Sequence, residues 1–141
     1  MPEEALFPRF ATARLKEALE DSPAVLIHGP RQCGKTTLAL HVGKRAGFTY
    51  LTFDDAVARE AATSDPIGFV ANLPRHVILD EVQHVPQLFS ALKAAIDRQR
   101  LPGRFILTGS ANLLLLPKVS DSLAGSMAIL RLHSLAQCER A

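Results

Sequence analysis

Two cysteines in 141 residues, Cys33 and Cys138, are too few and too far apart for a disulfide framework or a paired metal site. A reduced, cytoplasmic setting is the resulting expectation. Charge of one sign is scarce too: 16 basic against 14 acidic residues leave a net charge of +2, too little to argue for a nucleic-acid partner. Arg98, Arg100, Arg104, Lys118 and Arg131 do not gather into a cluster, so a solvated surface is expected of them. No apolar run approaches the ~20 residues of a membrane span, so no membrane partner is expected. Met1-Pro2-Glu3-Glu4 is acidic with no apolar stretch behind it, so no signal peptide is expected. Internal repeats and low-complexity segments are absent. What remains is ordinary for one globular domain with a real core: 48% hydrophobic and 21% charged residues.

Within that background one stretch carries chemistry. Residues Gly29 to Thr36 read G-x-x-x-x-G-K-T, the phosphate-binding loop known as Walker A. Its glycines let the backbone curl so that several N–H groups face one phosphate, and the helix after it adds the positive end of its dipole. Gly29, Pro30, Arg31, Gln32, Cys33, Gly34, Lys35, Thr36 and Thr37 are the candidate nucleotide-binding residues. Lys35 would reach the β- and γ-phosphates and the Thr36 hydroxyl would hold Mg²⁺. Cys33 reads as a small loop residue rather than a redox centre. The setting fits: Ala24-Val25-Leu26-Ile27 ahead of the loop is a buried parallel strand by composition, and Thr37 to Val42 behind it suits a helix.

A second stretch complements the first. His76-Val77-Ile78-Leu79-Asp80-Glu81 has the character of a buried strand ending in two carboxylates. Charges are expensive to bury alone, but the carboxyl end of a parallel strand opens on the ligand crevice. This is a Walker B pattern, in which Asp80 holds Mg²⁺ through its waters and Glu81 activates the attacking water.

The remaining chain supplies the scaffold. Helices are expected over Phe10–Glu20, from the loop to about Ala46, over Ala56–Thr63, from Pro66 to near Pro74, and over Pro86–Gln99. Strands are expected at Phe48–Phe53, Arg104–Thr108 and Met127–Leu132. Asp54-Asp55 reads as a helix cap in preference to a catalytic pair. Thr108 and Ser110, at the end of the fourth strand, either sense the γ-phosphate or cap the next helix. Leu113–Leu116 would pack against the sheet and Ser120–Leu123 would form a helical turn. Five strands with helical connections between the first four predict a three-layer α/β fold with a parallel five-stranded sheet.

Five stretches together resemble the N-terminal ATPase domain of a prokaryotic AAA-type family of ATP-binding proteins related to archaeal ATPases. They are Gly29–Ala39, Tyr50–Asp55, Ile78–Gln83, Leu107–Asn112 and Ser122–Gly125. The resemblance implies a P-loop NTPase core with strand order 5-1-4-3-2, ATP and Mg²⁺ as ligands, and Lys35, Glu81, Thr108 and Ser110 as catalytic candidates, with Thr36 and Asp80 at the metal. It also implies self-association, and a C-terminal nuclease-like domain through which members would meet protein or DNA partners. This chain is short by comparison, so a truncated form is expected. It departs from the pattern at Ser126, where the family usually has arginine, an arginine finger or an intersubunit contact. It departs again at Ser134-Leu135, where a Pro-Leu pair is usual. Slow hydrolysis is the expected consequence. The competing readings are a nucleotide-binding interaction module without turnover and a small-molecule kinase, against which Glu81 argues because a kinase has no water to activate.

Overall fold

In the structure, a computed structural model, residues 9–29, 34–110, 112–113 and 127–132 are described. In chain order they form α1 (Arg9–Asp21), β1 (Ala24–Gly29), α2 (Lys35–Arg45), β2 (Thr49–Thr52), α3 (Ala56–Ser64), α4 (Pro66–Ala71), β3 (Val77–Asp80), a 3₁₀ turn (Val82–His84), α5 (Leu88–Arg98), β4 (Phe105–Ser110) and β5 (Met127–Arg131). The strands make one parallel sheet in the order β2-β3-β4-β1-β5. This is the expected order read from the opposite edge.

Strand periodicity sorts the core into two layers. Successive side chains along a strand point to opposite faces. Ala24, Leu26, Val77, Leu79, Phe105 and Leu107 therefore share one face, packed with Phe53, Val70 and the Leu88, Phe89, Leu92 and Ile96 stripe of α5. Val25, Ile27, Ile78 and Ile106 share the other, packed with Ala11 and Leu15 of α1 and with Leu38, Ala39 and Val42 of α2. With both faces covered, every residue of β1 and β3 is buried, as a central parallel strand requires.

The capping expectations divide. Asp55 caps α3, its side chain accepting from the Val57 N–H at 3.2 Å. Asp65 does the same for α4 through the Gly68 N–H at 3.1 Å, with Pro66 at the first helical position. Asp54 caps nothing and turns to the site. Several boundaries shift by one to three residues, and two of the shifts bear on the site. Strand β4 runs two residues beyond Thr108, because Gly109 and Ser110 continue the ladder opposite His28 and Gly29. Helix α5 begins at Leu88 rather than Pro86, because the Val85 and Pro86 carbonyls accept from the N–H groups three residues on, Leu88 at 2.9 Å and Phe89 at 3.2 Å, in a tighter turn ahead of the helix. Leu113 is buried in the α5-side layer as expected. Leu114–Leu116 and Ser120–Leu123 lie outside the described residues.

Candidate functional site

The same periodicity assembles the site. Asp80 lies two residues beyond Ile78, and Thr108 two beyond Ile106, so both project from the face that α2 covers. Tyr50, half-buried against the same layer, comes from β2 beside them. Thr36, in the first turn of α2, comes from above. All three hydroxyls converge on the Asp80 carboxylate. Thr36 Oγ1 donates to Oδ1 at 2.7 Å and Tyr50 donates to Oδ2 at 2.7 Å. The Thr108 hydroxyl donates to Oδ1 as well. A carboxylate has about four acceptor sites, and three are taken by protein hydroxyls. Asp80 is 3% exposed, and this set of donors is what makes its burial tolerable.

Burial and the Asp80 carboxylate act together on Tyr50. Burial, the hydrogen bond to Asp80 and that group's negative charge push the phenol up to about 12. Tyr50 is therefore a fixed donor at any physiological pH.

Thr108 is fully buried and has a second bond: its Oγ1 accepts the Glu81 N–H at 3.0 Å. That contact secures an uncommon backbone. Glu81 has φ 61 and ψ 49, the left-handed region, and it is the non-glycine residue with positive φ among those described. A non-glycine residue pays about 1–2 kcal/mol to sit there. A regular continuation of β3 would send Glu81 to the Leu79 face, away from α2. The left-handed turn instead brings it to the wall of a cleft of about 240 Å³ that Gly34, Lys35, Thr36, Thr37, Asp54 and Asp80 also line.

Gly34 opens α2 with φ 81, also left-handed, where its missing Cβ removes the penalty. Lys35 is 5% exposed, and its ammonium donates to the Gly29 carbonyl at 3.4 Å, so the cation is held across the mouth of the loop. Across the cleft, the Asp54 carboxylate meets His84 Nε2 at 3.2 Å, and both lie within 4.8 Å of a Glu81 oxygen. The Gln83 amide joins Glu81 to the end of β4, accepting the Ser110 N–H at 3.2 Å and donating to Glu81 Oε2 at 3.3 Å. Behind the loop, His28 is buried, and among the described residues its Nδ1 has no partner. Burial, then Arg131 and Lys35, hold its pKa below the ordinary 6.5.

Of the residues singled out in the sequence, Gly34, Lys35, Thr36, Thr37, Asp80 and Glu81 meet in the cleft. Gly29 ends β1 beneath it, Thr108 sits behind Asp80, and Ser110 takes part through its backbone. Pro30, Arg31, Gln32, Cys33 and Ser126 lie outside the described residues. Tyr50, Gln83, His84 and the cleft-facing role of Asp54 are additions. Tyr50 pairs with Ile78 and so lies one same-face step before Asp80 on the neighbouring strand, a diagonal relation that requires the β2–β3 register to be known. Gln83 and His84 carried no signal, because the 3₁₀ turn that aims them has no periodicity.

Comparison with known proteins agrees with this geometry. A model of the AAA domain matches residues 21–141. The chain belongs to that AAA-domain family. Proteins of Mycobacterium tuberculosis and Mycobacterium bovis, both named as uncharacterized, are each 41% identical over 128 residues, spanning 90% of this chain and 29% of theirs. The Holliday junction branch migration complex subunit RuvB of Desulfosudis oleivorans is 40% identical over 81 residues, 56% of this chain and 23% of its own. The chain thus spans less than a third of the length of these relatives. Among solved structures, the Thermotoga maritima RuvB branch migration motor superposes with a TM-score of 0.53 at 23% identity, over 89% of this chain and 49% of that one. At that identity the likeness is one of fold: this AAA domain is a P-loop NTPase core. Among the described residues, no helix is long and apolar enough to cross a membrane.

Proposed function

We propose that this AAA domain binds Mg-ATP in the cleft and hydrolyses it slowly to ADP and phosphate. One observation carries the reading. Thr36 and Asp80, 44 residues apart in sequence, meet at 2.7 Å on the wall of a cleft that also holds a buried lysine and a glutamate. Thr36 Oγ1 and the Asp80 carboxylate are hard oxygen donors of the kind Mg²⁺ takes, with room for its waters, so the residues present fit the ion. Thr36 and Asp80 would hold Mg²⁺, which when bound would neutralise charge on the phosphates.

The protein's own groups supply the rest. Lys35 places a cation at the β- and γ-phosphates, and the α2 N-terminus adds backbone N–H groups. Glu81 takes the proton of the attacking water at its carboxylate. Thr108 and Tyr50 act through Asp80, which they hold in place. Slow turnover follows from Ser126, which has neither the charge nor the bidentate fork of the arginine usual in the family.

Calorimetry and phosphate release test this together. Lys35→Ala should abolish Mg-ATP binding. Glu81→Gln should bind Mg-ATP at parental affinity and release no phosphate above background, because an amide of the same shape cannot accept the proton. Parental affinity in Lys35→Ala sinks the site assignment; parental turnover in Glu81→Gln sinks the base.

A further inference from the structure

The Gln83 side chain lies between two parts of the site that have no covalent link nearby. Its carboxamide can be oriented in only one way. The Ser110 backbone N–H can only donate, so Gln83 must turn its carbonyl oxygen there, at 3.2 Å. The amide nitrogen is thereby committed to Glu81 Oε2, at 3.3 Å. A Cβ built on Gly109 would stand 2.5 Å from Leu113 Cδ2, so glycine there leaves room for Leu113; Gln83 Oε1, at 3.5 Å, would be in ordinary contact.

We propose that Gln83 is a positioning residue for Glu81: its amide clamps Oε2 to the end of β4 and leaves Oε1 as the oxygen that accepts the proton of the attacking water. The proposal rests on the reading of Glu81 as the general base. It also explains how a half-buried glutamate at the cleft wall keeps one direction. Backbone strain at Glu81 aims the side chain and Thr108 secures its N–H, but neither fixes the carboxylate rotation. Gln83 supplies that restraint, and it refers the base to β4, the strand whose Thr108 also holds Asp80. Base and metal ligand are thus registered to one strand.

The experiment is a four-variant cycle on the full chain: parent, Gln83→Leu, Glu81→Gln and the double variant, each measured for Mg-ATP affinity and steady-state phosphate release. Gln83→Leu should lower kcat on the order of 10- to 100-fold while affinity stays within about 2-fold, because misplacing a base affects the chemical step and not binding. Glu81→Gln is expected to release no phosphate above background, so the double variant is read by affinity, which should stay within about 2-fold of Glu81→Gln. Gln83→Glu still accepts the Ser110 N–H but faces Glu81 with like charge, and should fall as far as Gln83→Leu. Amide hydrogen exchange adds a readout apart from turnover: Gln83→Leu should speed exchange at Ser110, and Gln83→Glu should not. Parental turnover in Gln83→Leu with an inactive Glu81→Gln overturns the positioning role alone. Faster turnover shows a restraint that parks the base, and overturns it too. An active Glu81→Gln, or a parent that releases no phosphate, overturns the base reading and this proposal with it.

Discussion

Thr108→Val is the substitution that best separates the polar network from ordinary packing. Valine keeps the branched shape and removes one oxygen. Thr108 is 0% exposed, so water does not take the oxygen's place. Two bonds go at once: the donation to Asp80 Oδ1 and the acceptance from the Glu81 N–H at 3.0 Å. A hydrogen bond to a charged group contributes about 1.5–3 kcal/mol, and an orphaned buried N–H costs about 1–3 kcal/mol. Asp80 keeps Thr36 on the same oxygen and Tyr50 on the other, which places the first contribution at its lower end. The expected loss is about 3 kcal/mol, out of about 5–15 kcal/mol for a whole domain. Urea unfolding followed by far-ultraviolet circular dichroism should show an unchanged slope and a midpoint lower by about 1–3 M. Thr108→Ser, which restores the hydroxyl, should recover most of the difference. A shift in Thr108→Val below about 0.3 M at constant slope would refute the reasoning, since the hydroxyl would then be doing no more than a methyl.

Two titrations test the electrostatics. Tyr50 is the one tyrosine of a chain without tryptophan, so tyrosinate absorbance reports it alone. In the folded protein it should titrate near 12, and in urea near the ordinary 10. Because the folded value is the higher, the linked stability is complete below pH 10 and is lost as pH rises toward 12, and Tyr50→Phe should remove that loss; a folded midpoint near 10 would contradict the bond to Asp80. His28 has the opposite sign. Its folded pKa lies below 6.5, so acidification protonates the unfolded chain first, and stability present above 6.5 is lost as pH falls toward the folded value. Between about pH 7.5 and 5.5 the parent should lose more stability than His28→Gln; parallel profiles would show that burial of His28 carries no proton linkage.

The scaffold was legible because its signals are periodic. The buried runs at Ala24–Ile27 and Val77–Leu79 and the apolar stripe of α5 each follow from side-chain spacing and land in their elements within a few residues. Strand order came from the likeness to AAA domains, since parallel neighbours are set by crossovers that no local pattern encodes. The errors at the ends of β4 and α5 have one cause. Gly109 reads as a loop residue in isolation, yet its pairing with His28 extends the ladder. Pro86 reads as a helix start, yet its carbonyl closes a three-residue turn on the Phe89 N–H before the helix begins. In the site, the residues of the loop and of β3 were legible as motifs. Tyr50 and Gln83 fell within family-like stretches but had no role assigned, because each matters through a contact with a residue distant in sequence or through a turn without periodicity.

Asp80 explains why fold and site are hard to separate here. Its two oxygens receive hydroxyls from α2, β2 and β4, while Asp80 itself ends β3. One carboxylate therefore ties three neighbouring strands and the helix of the phosphate-binding loop at the end of the sheet where the cleft opens. Apolar packing alone leaves small shifts of α2 against the sheet cheap, since the hydrophobic effect is non-directional. Short, directional bonds to a buried charge do not, because a displaced partner leaves the charge unpaired. The left-handed Glu81 is the counterpart of this rigidity. Its strain of about 1–2 kcal/mol is sustained by the Thr108 bond on one side and the 3₁₀ turn on the other. In a regular strand the same residue would face the α5 layer, where a carboxylate has no place among Leu79, Leu107 and Leu113. The backbone outlier is thus what turns the last acid of β3 from a burial problem into a cleft-lining group.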